Sequence, residues 1–492
     1  MRGILASSIG VTCAAALALP LAPPAAASAG SGVPVAGVAT RTAETADARV
    51  DVPGSTQSLP LQSLTHDRAS GAVLGLKPRT VRTFSLLGVV WDDPSADLHG
   101  RVQVRTRAAG TGEWSGWQDV ETHYTEHGAD PDSPEAASGR VRGATAPLWV
   151  GESDGVEVRV LPETGAGGPG GAVERGAPEP QGDVDPVDVG SGEASAALPA
   201  GLRLDLVDPG EEGAAEGAES AGSAEGAESA EGAEGPRTGV MTAAAKAASA
   251  ANSALVPLGA VEIPSLTAEE TREELTALRG ADLTEQQRAK PYIGPRPAIV
   301  TRRGWGADES LREKSFVYTS KVKAAFVHHT ASGNNYSCSQ APSLIRGYYR
   351  YHTRSLGWRD IGYNFLVDKC GRIYEGRAGG VAKPVKGAHT MGFNTNTTGI
   401  AVIGSYGSKK PSSKAVKAVA RLTAWKLGLH GMNPKKKTSL TSGGGNLYAK
   451  GRKVKMKVIS GHRDGFNTSC PGGKLYKKLS SVRSKAAKYQ GR

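Results

Sequence analysis

Short apolar runs divide the last two-fifths of the chain into predicted strands. Buried strands are predicted at residues 324–328 and 399–403, where apolar residues stand together. Residues 363–367 and 372–376 flank a turn at residues 368–371, a pattern that predicts a β-hairpin. A further apolar run, residues 458–460, precedes a glycine-rich segment. Strands therefore recur along this region, with longer segments between them.

Two of the longer segments have helical periodicity. The first covers residues 339–356, and its apolar and aromatic positions recur on one face at Leu344, Ile345, Tyr348 and His352. The second covers residues 415–429, with Ser412 as the N-cap. Because strands and helices interleave, residues 291–492 predict an α/β domain with a mixed central sheet flanked by helices.

The first half of the chain has a different pattern. Residues 79–163 contain four short segments with period-two or apolar strand patterns and no helical periodicity, which predicts a small β-sandwich. Its tryptophans either fill the sandwich core or stack on sugar rings. Residues 30–78 are expected to be irregular. Residues 164–290 are expected to be a low-complexity, disordered acidic linker with one short helix over residues 267–289, capped by Ser265 or Thr267.

The first 29 residues have the pattern of a secretory signal peptide. Arg2 is followed by an apolar run to residue 21 and by small residues at 25–29. A membrane anchor is the alternative, but Pro20, Pro23 and Pro24 interrupt the run. We expect a secreted protein, extracellular or associated with the cell wall, with no membrane contact after the signal is removed.

Charge is distributed unevenly along the 492 residues, whose net charge is +11. Residues 208–235 contain nine acidic residues and no basic one, whereas residues 401–492 contain 22 Lys plus Arg and one acid. A basic face attracts polyanions. Outside a cell these are anionic wall polymers and not nucleic acid; the alternative is a merely solvated surface.

The cysteines also indicate an extracellular protein with one unpaired thiol. Cys13 belongs to the signal, which leaves Cys338, Cys370 and Cys470, an odd number. The economical arrangement is a Cys338–Cys370 disulfide with the Cys470 thiol on a metal. The alternative is a disulfide that includes Cys470 and leaves a spare thiol elsewhere.

Residues 461–472 contain the candidate chemistry. His462 and Cys470 lie eight residues apart there, and a predicted strand ends far upstream at His328 and His329. Two imidazoles and one thiolate suffice for a catalytic zinc ion, which keeps its fourth position for water. Adjacent strand residues point to opposite faces, so only one of the two neighbouring histidines can reach the metal. The residues alone do not choose between them.

Seven ordered motifs between residues 300 and 476 resemble the peptidoglycan recognition protein and type 2 N-acetylmuramoyl-L-alanine amidase family. They lie at residues 303–306, 328–331, 357–365, 374–377, 387–390, 461–464 and 468–472. The order of β-domain, acidic linker and amidase domain also resembles that of secreted actinobacterial amidases. Family disulfides vary, and the Cys338–Cys370 pairing is loosely similar to that of bacterial members.

The resemblance implies a set of site residues. One zinc ion per chain is held by His328, His462 and Cys470, and Tyr363 and Thr468 face the reacting carbonyl. Substrate-binding positions are expected at His329, His352, Trp358, His389 and Asn394. Glu375 is interpreted as structural, and Asp464 either orients His462 or Arg463 or caps a turn. His66, His99, His123 and His127 lie outside the predicted domain and receive no role.

The function implied is a secreted zinc-dependent amidase that hydrolyses the lactyl–L-alanine amide bond of peptidoglycan. Zinc lowers the pKa of bound water to about 7 and polarises the carbonyl. The Tyr363 hydroxyl is expected to donate to the oxyanion or to orient the water. The alternative is a non-catalytic peptidoglycan-binding recognition module, although binding-only relatives tend to lack the thiolate that Cys470 provides here.

Overall fold

The N-terminal part of the chain is all-β, as its alternating pattern predicts. The structure, a computed structural model, describes residues 54–64, 73–122, 124–163, 197–210 and 241–492, which lie in one compact unit, Val52–Arg492. The N-terminal strands are β1 (Ser55–Pro60), β2 (Gln62–Ser63), β3 (Leu74–Trp91), β4 (Gly100–Ala108), β5 (Gln118–Val120), β6 (Gly143–Ala144), β7 (Leu148–Pro162) and β8 (Arg203–Asp208). They form one antiparallel sheet in the order β1-β8-β3-β7-β4-β5, and β2 and β6 also pair with β3.

The apolar run at the end of β3 is explained by burial on both faces. Leu87 and Val89 belong to the core of the β-domain, whereas Leu86 and Val90 pack against the C-terminal part of the chain. Gly88 lies between them, and a Cβ at this position would stand 2.2 Å from the Tyr351 hydroxyl oxygen. The sheet therefore packs on the C-terminal domain so closely that only glycine fits there.

The C-terminal domain is α/β with a mixed sheet, as predicted. Its main strands are β9 (Glu262–Ile263), β10 (Ile299–Val300), β11 (Ala324–His329), β12 (Phe365–Val367), β13 (Ile373–Glu375), β14 (Thr397–Val402) and β17 (Ile459–Gly461). The sheet order is β17-β11-β14-β12-β13-β10-β9. The pairs β17–β11, β11–β14 and β14–β12 are parallel, and β12–β13 is the predicted antiparallel hairpin. A separate hairpin joins β15 (Lys437–Thr441) and β16 (Lys453–Lys457).

Helices cover both faces of this sheet. They are α1 (Ala243–Ala250), α2 (Ala268–Arg279), α3 (Glu285–Ala289), α4 (Ala341–Arg350), α5 (Ser413–Gly428), α6 (Gly473–Tyr476) and α7 (Leu479–Tyr489), and a π-helical turn, Tyr351–Ser355, continues α4. Helices α5 and α7 bury their apolar residues on one face. Helix α4 packs on the other face, between the sheet and strand β3. The expected caps are present, because the Ser412 hydroxyl accepts from Ala415 N at 3.0 Å and Thr267 caps α2.

Two predicted boundaries are wrong. Residues 30–78 were expected to be irregular, but β1, β2 and the start of β3 lie there. Residues 164–290 were expected to be a linker, but β8 lies in the N-terminal sheet, and β9 pairs with β10 in the C-terminal sheet. Strands β1, β8 and β9 are short, and their hydrogen-bond partners are distant in sequence. The predicted signal segment (1–29) and linker residues 164–196 and 211–240 lie outside the described residues.

The predicted disulfide is present. Cys338 and Cys370 are bonded, and Cys470 is the free, buried cysteine among the described residues. The alternative in which Cys470 forms a disulfide is therefore wrong. Among the residues that the structure describes, no helix combines the length and apolar character needed to cross a membrane.

Candidate metal centre and active site

Four ligand side chains meet at the end of β11. They are His127, His328, His462 and Cys470; all four are buried, and their ligand atoms lie within 4.8 Å of one another. Three of them are the predicted ligands. His127 comes from the N-terminal β-domain, to which the sequence assigned no role in the site.

Parallel strand pairing brings the two predicted histidines together. The register pairs Val327 of β11 with Gly461 of β17, so His328 and His462 occupy neighbouring positions at the same edge of the sheet. Their ring centroids are 4.6 Å apart. Cys470 follows on a loop that is fixed by backbone contacts: Arg463 N donates to Cys470 O at 3.0 Å, and Cys470 N donates to the Thr468 hydroxyl at 3.1 Å.

The structure also decides between the two adjacent histidines. His328 lies on the face of β11 that carries the ligand group, whereas His329 lies on the opposite face, where its Nδ1 accepts from Tyr406 N at 3.3 Å. The prediction that His329 binds substrate is therefore not supported, because strand alternation turns its side chain away from the ligand group. Burial lowers the pKa of His329 to about 4.

The donor set fits a zinc ion. His328 Nδ1 is 3.7 Å from Cys470 Sγ, close to the separation of about 3.6 Å that tetrahedral zinc imposes on a nitrogen and a sulfur ligand. His328 Nε2 faces His389 Nδ1 at 3.3 Å and the Thr390 hydroxyl at 3.4 Å, which orients the ring. Neither ring nitrogen of His462 has a partner in good hydrogen-bond geometry among the described residues, although both are buried and the Glu126 backbone lies close to the ring. Such orphaned polar atoms are rare, and a metal ion would satisfy them.

The protonation states agree with a metal site. Burial lowers the pKa of His328 and His462 well below the usual value for histidine, so both rings are neutral and have lone pairs available. Burial also raises the pKa of the Cys470 thiol. A metal ion must therefore displace the thiol proton when it binds, as is usual for thiolate ligands.

His127 is the fourth member of this group of side chains. It belongs to residues 121–142, between β5 and β6, which we call the β5–β6 segment. Its ring centroid is 4.5 Å from that of His462 and 5.4 Å from that of His328. Both of its ring nitrogens are buried and, within the described part of the chain, without hydrogen-bond partners, like those of His462. The position of this side chain is therefore suited to a fourth metal ligand.

The predicted catalytic residues surround the ligand group. The Tyr363 ring centroid is 5.6 Å from that of His328, and burial raises the pKa of Tyr363 well above its usual value, so its hydroxyl remains protonated. The Thr468 hydroxyl donates to Glu126 Oε1 at 2.6 Å. Burial raises the pKa of Glu126 to about 8. Glu126, in the β5–β6 segment, is a second residue near the site that the sequence did not reveal.

Comparisons with known proteins decide the family. The family model of N-acetylmuramoyl-L-alanine amidases matches residues 318–473. Peptidoglycan-recognition protein 1 of Holotrichia diomphalia is 31% identical over 184 residues, which are 37% of this chain and 79% of that protein. The chain belongs to the peptidoglycan recognition protein and type 2 amidase family.

Other matches cover the same part of the chain or the N-terminal domain. A human N-acetylmuramoyl-L-alanine amidase is 34% identical over 125 residues, 25% of this chain and 21% of the human protein. The solved structure of Drosophila PGRP-LB is 27% identical and covers 37% of this chain and 92% of its own, with a TM-score of 0.30. A model described as Rv3811 N-terminal galactose-binding domain-like matches residues 42–185.

The substrate-groove positions implied by the amidase family, His329 excepted, lie on the site face of the sheet. His352 packs on Trp358, with centroids 4.5 Å apart, and its Nδ1 accepts from Gly362 N at 3.2 Å. His389 contacts His328, as described. Asn394 Oδ1 accepts from the backbone N–H of His389 at 2.7 Å. Burial lowers the pKa of His352 and His389 to about 3, so both imidazoles are neutral.

The other interpreted residues have structural partners. Glu375 accepts from Asn252 Nδ2 and from Arg302 N, as the structural interpretation requires. Asp464 accepts from Gly461 N at 2.9 Å and from the Tyr476 hydroxyl, so it caps the turn. Among the tryptophans of the β-domain, Trp91 fills the core, as one alternative required. Trp114 and Trp117 instead lie near the surface, with Arg105 over both rings.

Proposed function

We propose that this protein is a secreted zinc-dependent N-acetylmuramoyl-L-alanine amidase. It hydrolyses the amide bond between the lactyl group of N-acetylmuramic acid and the L-alanine of the stem peptide. The observation that carries the proposal is the Cys470 thiol, which is free and buried and lies 3.7 Å from His328 Nδ1. A disulfide does not explain this thiol, whereas a metal ligand set of two imidazoles and a thiolate does.

The chain's own residues would bind the substrate and stabilise the transition state. When bound, zinc supplies Lewis-acid chemistry: it polarises the scissile carbonyl and lowers the pKa of water to about 7. Tyr363 has a protonated, buried hydroxyl near the ligand group. It donates a hydrogen bond to the carbonyl oxygen as negative charge develops there, an interaction that contributes about 3 kcal/mol in comparable sites.

Thr468 supplies a second neutral hydroxyl. Its oxygen accepts from Cys470 N, so the ligand loop fixes the orientation of the hydroxyl. In the proposed reaction the Thr468 proton, which is donated to Glu126 in this structure, is donated to the substrate instead. Trp358 and His352 form an aromatic wall beside the reacting bond. The proposal also places the protein outside the cell, at the wall, on the pattern of residues 1–29.

The test combines metal content with product analysis. The full chain should contain one zinc ion per molecule. In the His127→Ala background, which leaves His328, His462 and Cys470 as ligands, the further change Cys470→Ala should lose the ion. His329→Gln is the matched control, because His329 is adjacent to a ligand but lies on the opposite face of β11, and Gln retains an acceptor for Tyr406 N. Loss of zinc by the control and its retention by the His127→Ala, Cys470→Ala double variant would disprove the ligand assignment.

Mass spectrometry of digested peptidoglycan identifies the bond. The expected products are stem peptides with a free L-alanine amine and glycan strands with a free lactyl carboxyl. The assay should include His127→Ala, in which the fourth ligand is absent. If the zinc-loaded wild type and this variant both bind muramyl peptides but release no stem peptide, the protein is a recognition protein and not an amidase.

A further inference from the structure

The β5–β6 segment contacts the predicted substrate residues one after another. Its Tyr124 hydroxyl is 2.7 Å from His352 Nε2 and 3.3 Å from the Tyr363 hydroxyl. The Tyr124 ring lies parallel to that of Trp358, with an interplanar angle of 3° and centroids 6.3 Å apart. An aromatic side chain of the β-domain therefore occupies the aromatic wall that the substrate would use.

Further along the chain, the segment binds the Asn394 side chain and the backbone of Gly392. Asp130 Oδ1 accepts from Asn394 Nδ2 at 2.9 Å and from Gly392 N at 3.0 Å. Asn394 Nδ2 also donates to Gly128 O at 3.0 Å, and Lys386 Nζ is 3.1 Å from Asp130 Oδ2. The predicted substrate residue Asn394 thus has its side-chain donors directed to the segment.

A buried ion pair anchors the end of this stretch. Arg377 donates from Nη1 to Glu135 Oε2 at 2.8 Å and from Nη2 to Glu135 Oε1 at 2.9 Å, a bidentate geometry that is among the strongest for side chains. Arg359 N adds a third hydrogen bond to Glu135 at 3.2 Å. Arg377 belongs to one of the seven family motifs, so the segment is anchored on a motif residue of the amidase domain.

His127 lies between these contacts, at the metal centre itself. A zinc site with three protein ligands keeps one position for water or substrate, whereas a site with four is closed. With His127 as the fourth ligand, the centre has the composition of a closed site, although the other three ligands are those of a hydrolase.

We propose that the β5–β6 segment holds this enzyme in a latent form, with His127 as a fourth, displaceable metal ligand and residues 124–135 in the substrate groove. The inference rests on the proposed zinc-amidase function and adds its regulation. Withdrawal of the segment leaves His328, His462 and Cys470 on the metal and frees Tyr363, Trp358 and Asn394 for substrate. The opposite role, in which Glu126 and His127 assist the reaction, predicts that their removal slows hydrolysis.

The test uses the full chain loaded with cobalt(II), whose visible spectrum reports its ligands, and with zinc for activity. The variants are His127→Ala and His127→Asn, which retain all three other ligands and disrupt no side-chain hydrogen bond, since the His127 ring makes none with the described residues. His99→Ala is the control, an exposed histidine of the same domain. The probe is acetohydroxamate, a small chelating anion that needs an open position on the metal.

In the expected result, acetohydroxamate shifts the cobalt spectrum of both His127 variants and leaves wild type and His99→Ala unchanged at the same concentration. X-ray absorption should count three imidazoles on the metal in wild type and two in the variants. With zinc, His127→Ala should release stem peptide from peptidoglycan at least ten times faster than wild type.

Each other outcome has a distinct meaning. A wild-type spectrum that responds to the probe as the variants do, with two imidazoles counted, overturns the inference and leaves the amidase proposal intact. Slower hydrolysis by His127→Ala than by wild type also overturns it, in favour of a direct role for His127 in the reaction. If the spectra are as expected but no variant hydrolyses peptidoglycan, His127 is supported as the fourth ligand and the amidase proposal is refuted.

Discussion

The buried ion pair between Glu135 and Arg377 should hold the β5–β6 segment on the C-terminal domain. Glu135→Gln removes the negative charge and leaves the Arg377 guanidinium, whose side chain is 5% exposed, facing a neutral amide. Burial by itself would raise the pKa of Glu135, but the charge and hydrogen bonds of Arg377 hold it below its usual value. The carboxylate is therefore ionised at neutral pH, and the pair is fully formed.

The magnitude follows from burial. Removal of one partner from a buried pair costs about 3–5 kcal/mol, because the other charge stays buried without compensation. Glutamine retains one acceptor oxygen, and Arg377 keeps its hydrogen bond to Ile361 O at 2.8 Å, so we expect the lower end, about 3 kcal/mol. At about 1.4 kcal/mol for each factor of ten, the segment should leave the groove about a hundred times more often.

Hydrogen exchange measured by mass spectrometry checks this value. Amides in peptides that cover residues 124–142 should exchange about a hundredfold faster in Glu135→Gln, because exchange follows the local opening equilibrium. Asp132→Asn is the matched control, since Asp132 also joins the segment to the C-terminal domain, through Lys450 at 2.8 Å, but both side chains are more than 60% exposed. An exposed pair is worth about 1 kcal/mol or less. Equal exchange in the two variants, or no change in Glu135→Gln, would refute the reasoning.

Three further results are expected. In the His127→Ala background, Tyr363→Phe should slow amide hydrolysis by about a hundredfold, as one oxyanion donor is worth about 3 kcal/mol; an unchanged rate would exclude Tyr363 from the transition state. Burial lowers the pKa of Lys426 from 10.5 to about 7. Between these two pH values the lysine is protonated in the unfolded chain and neutral in the folded one. The free energy of unfolding should therefore rise by about 1.4 kcal/mol for each pH unit in this range. Lys426→Met should lose that rise, measured as the difference between urea unfolding curves of variant and wild type; parallel pH profiles would contradict it. Binding to anionic wall polymer should weaken as salt rises, because exposed charges are screened within about 10 Å at 0.1 M, and salt-independent binding would remove the polyanion proposal.

Much of the C-terminal fold could be predicted because its signals are local. Ser412 accepts from an amide three residues ahead, and the β12–β13 hairpin closes over a short turn. Such contacts join residues that are close together in the sequence. Strand β8 was missed for the opposite reason, since Arg203–Asp208 is ordered by pairing with β1 and β3, which lie more than a hundred residues away.

For the proposed metal centre, the sequence by itself indicated the ligand types, the positions His462 and Cys470, and the rule that only one of two adjacent strand histidines can reach the metal. The tertiary structure chose His328, because the register of β11 and β17 sets which face receives His462. It alone could reveal the β5–β6 segment, whose Tyr124 contacts His352 from 228 residues away. No spacing or periodicity encodes such a contact. It exists because the end of strand β3, which is buried on both faces, docks the β-domain against α4 and so brings His127 close to His328 and His462.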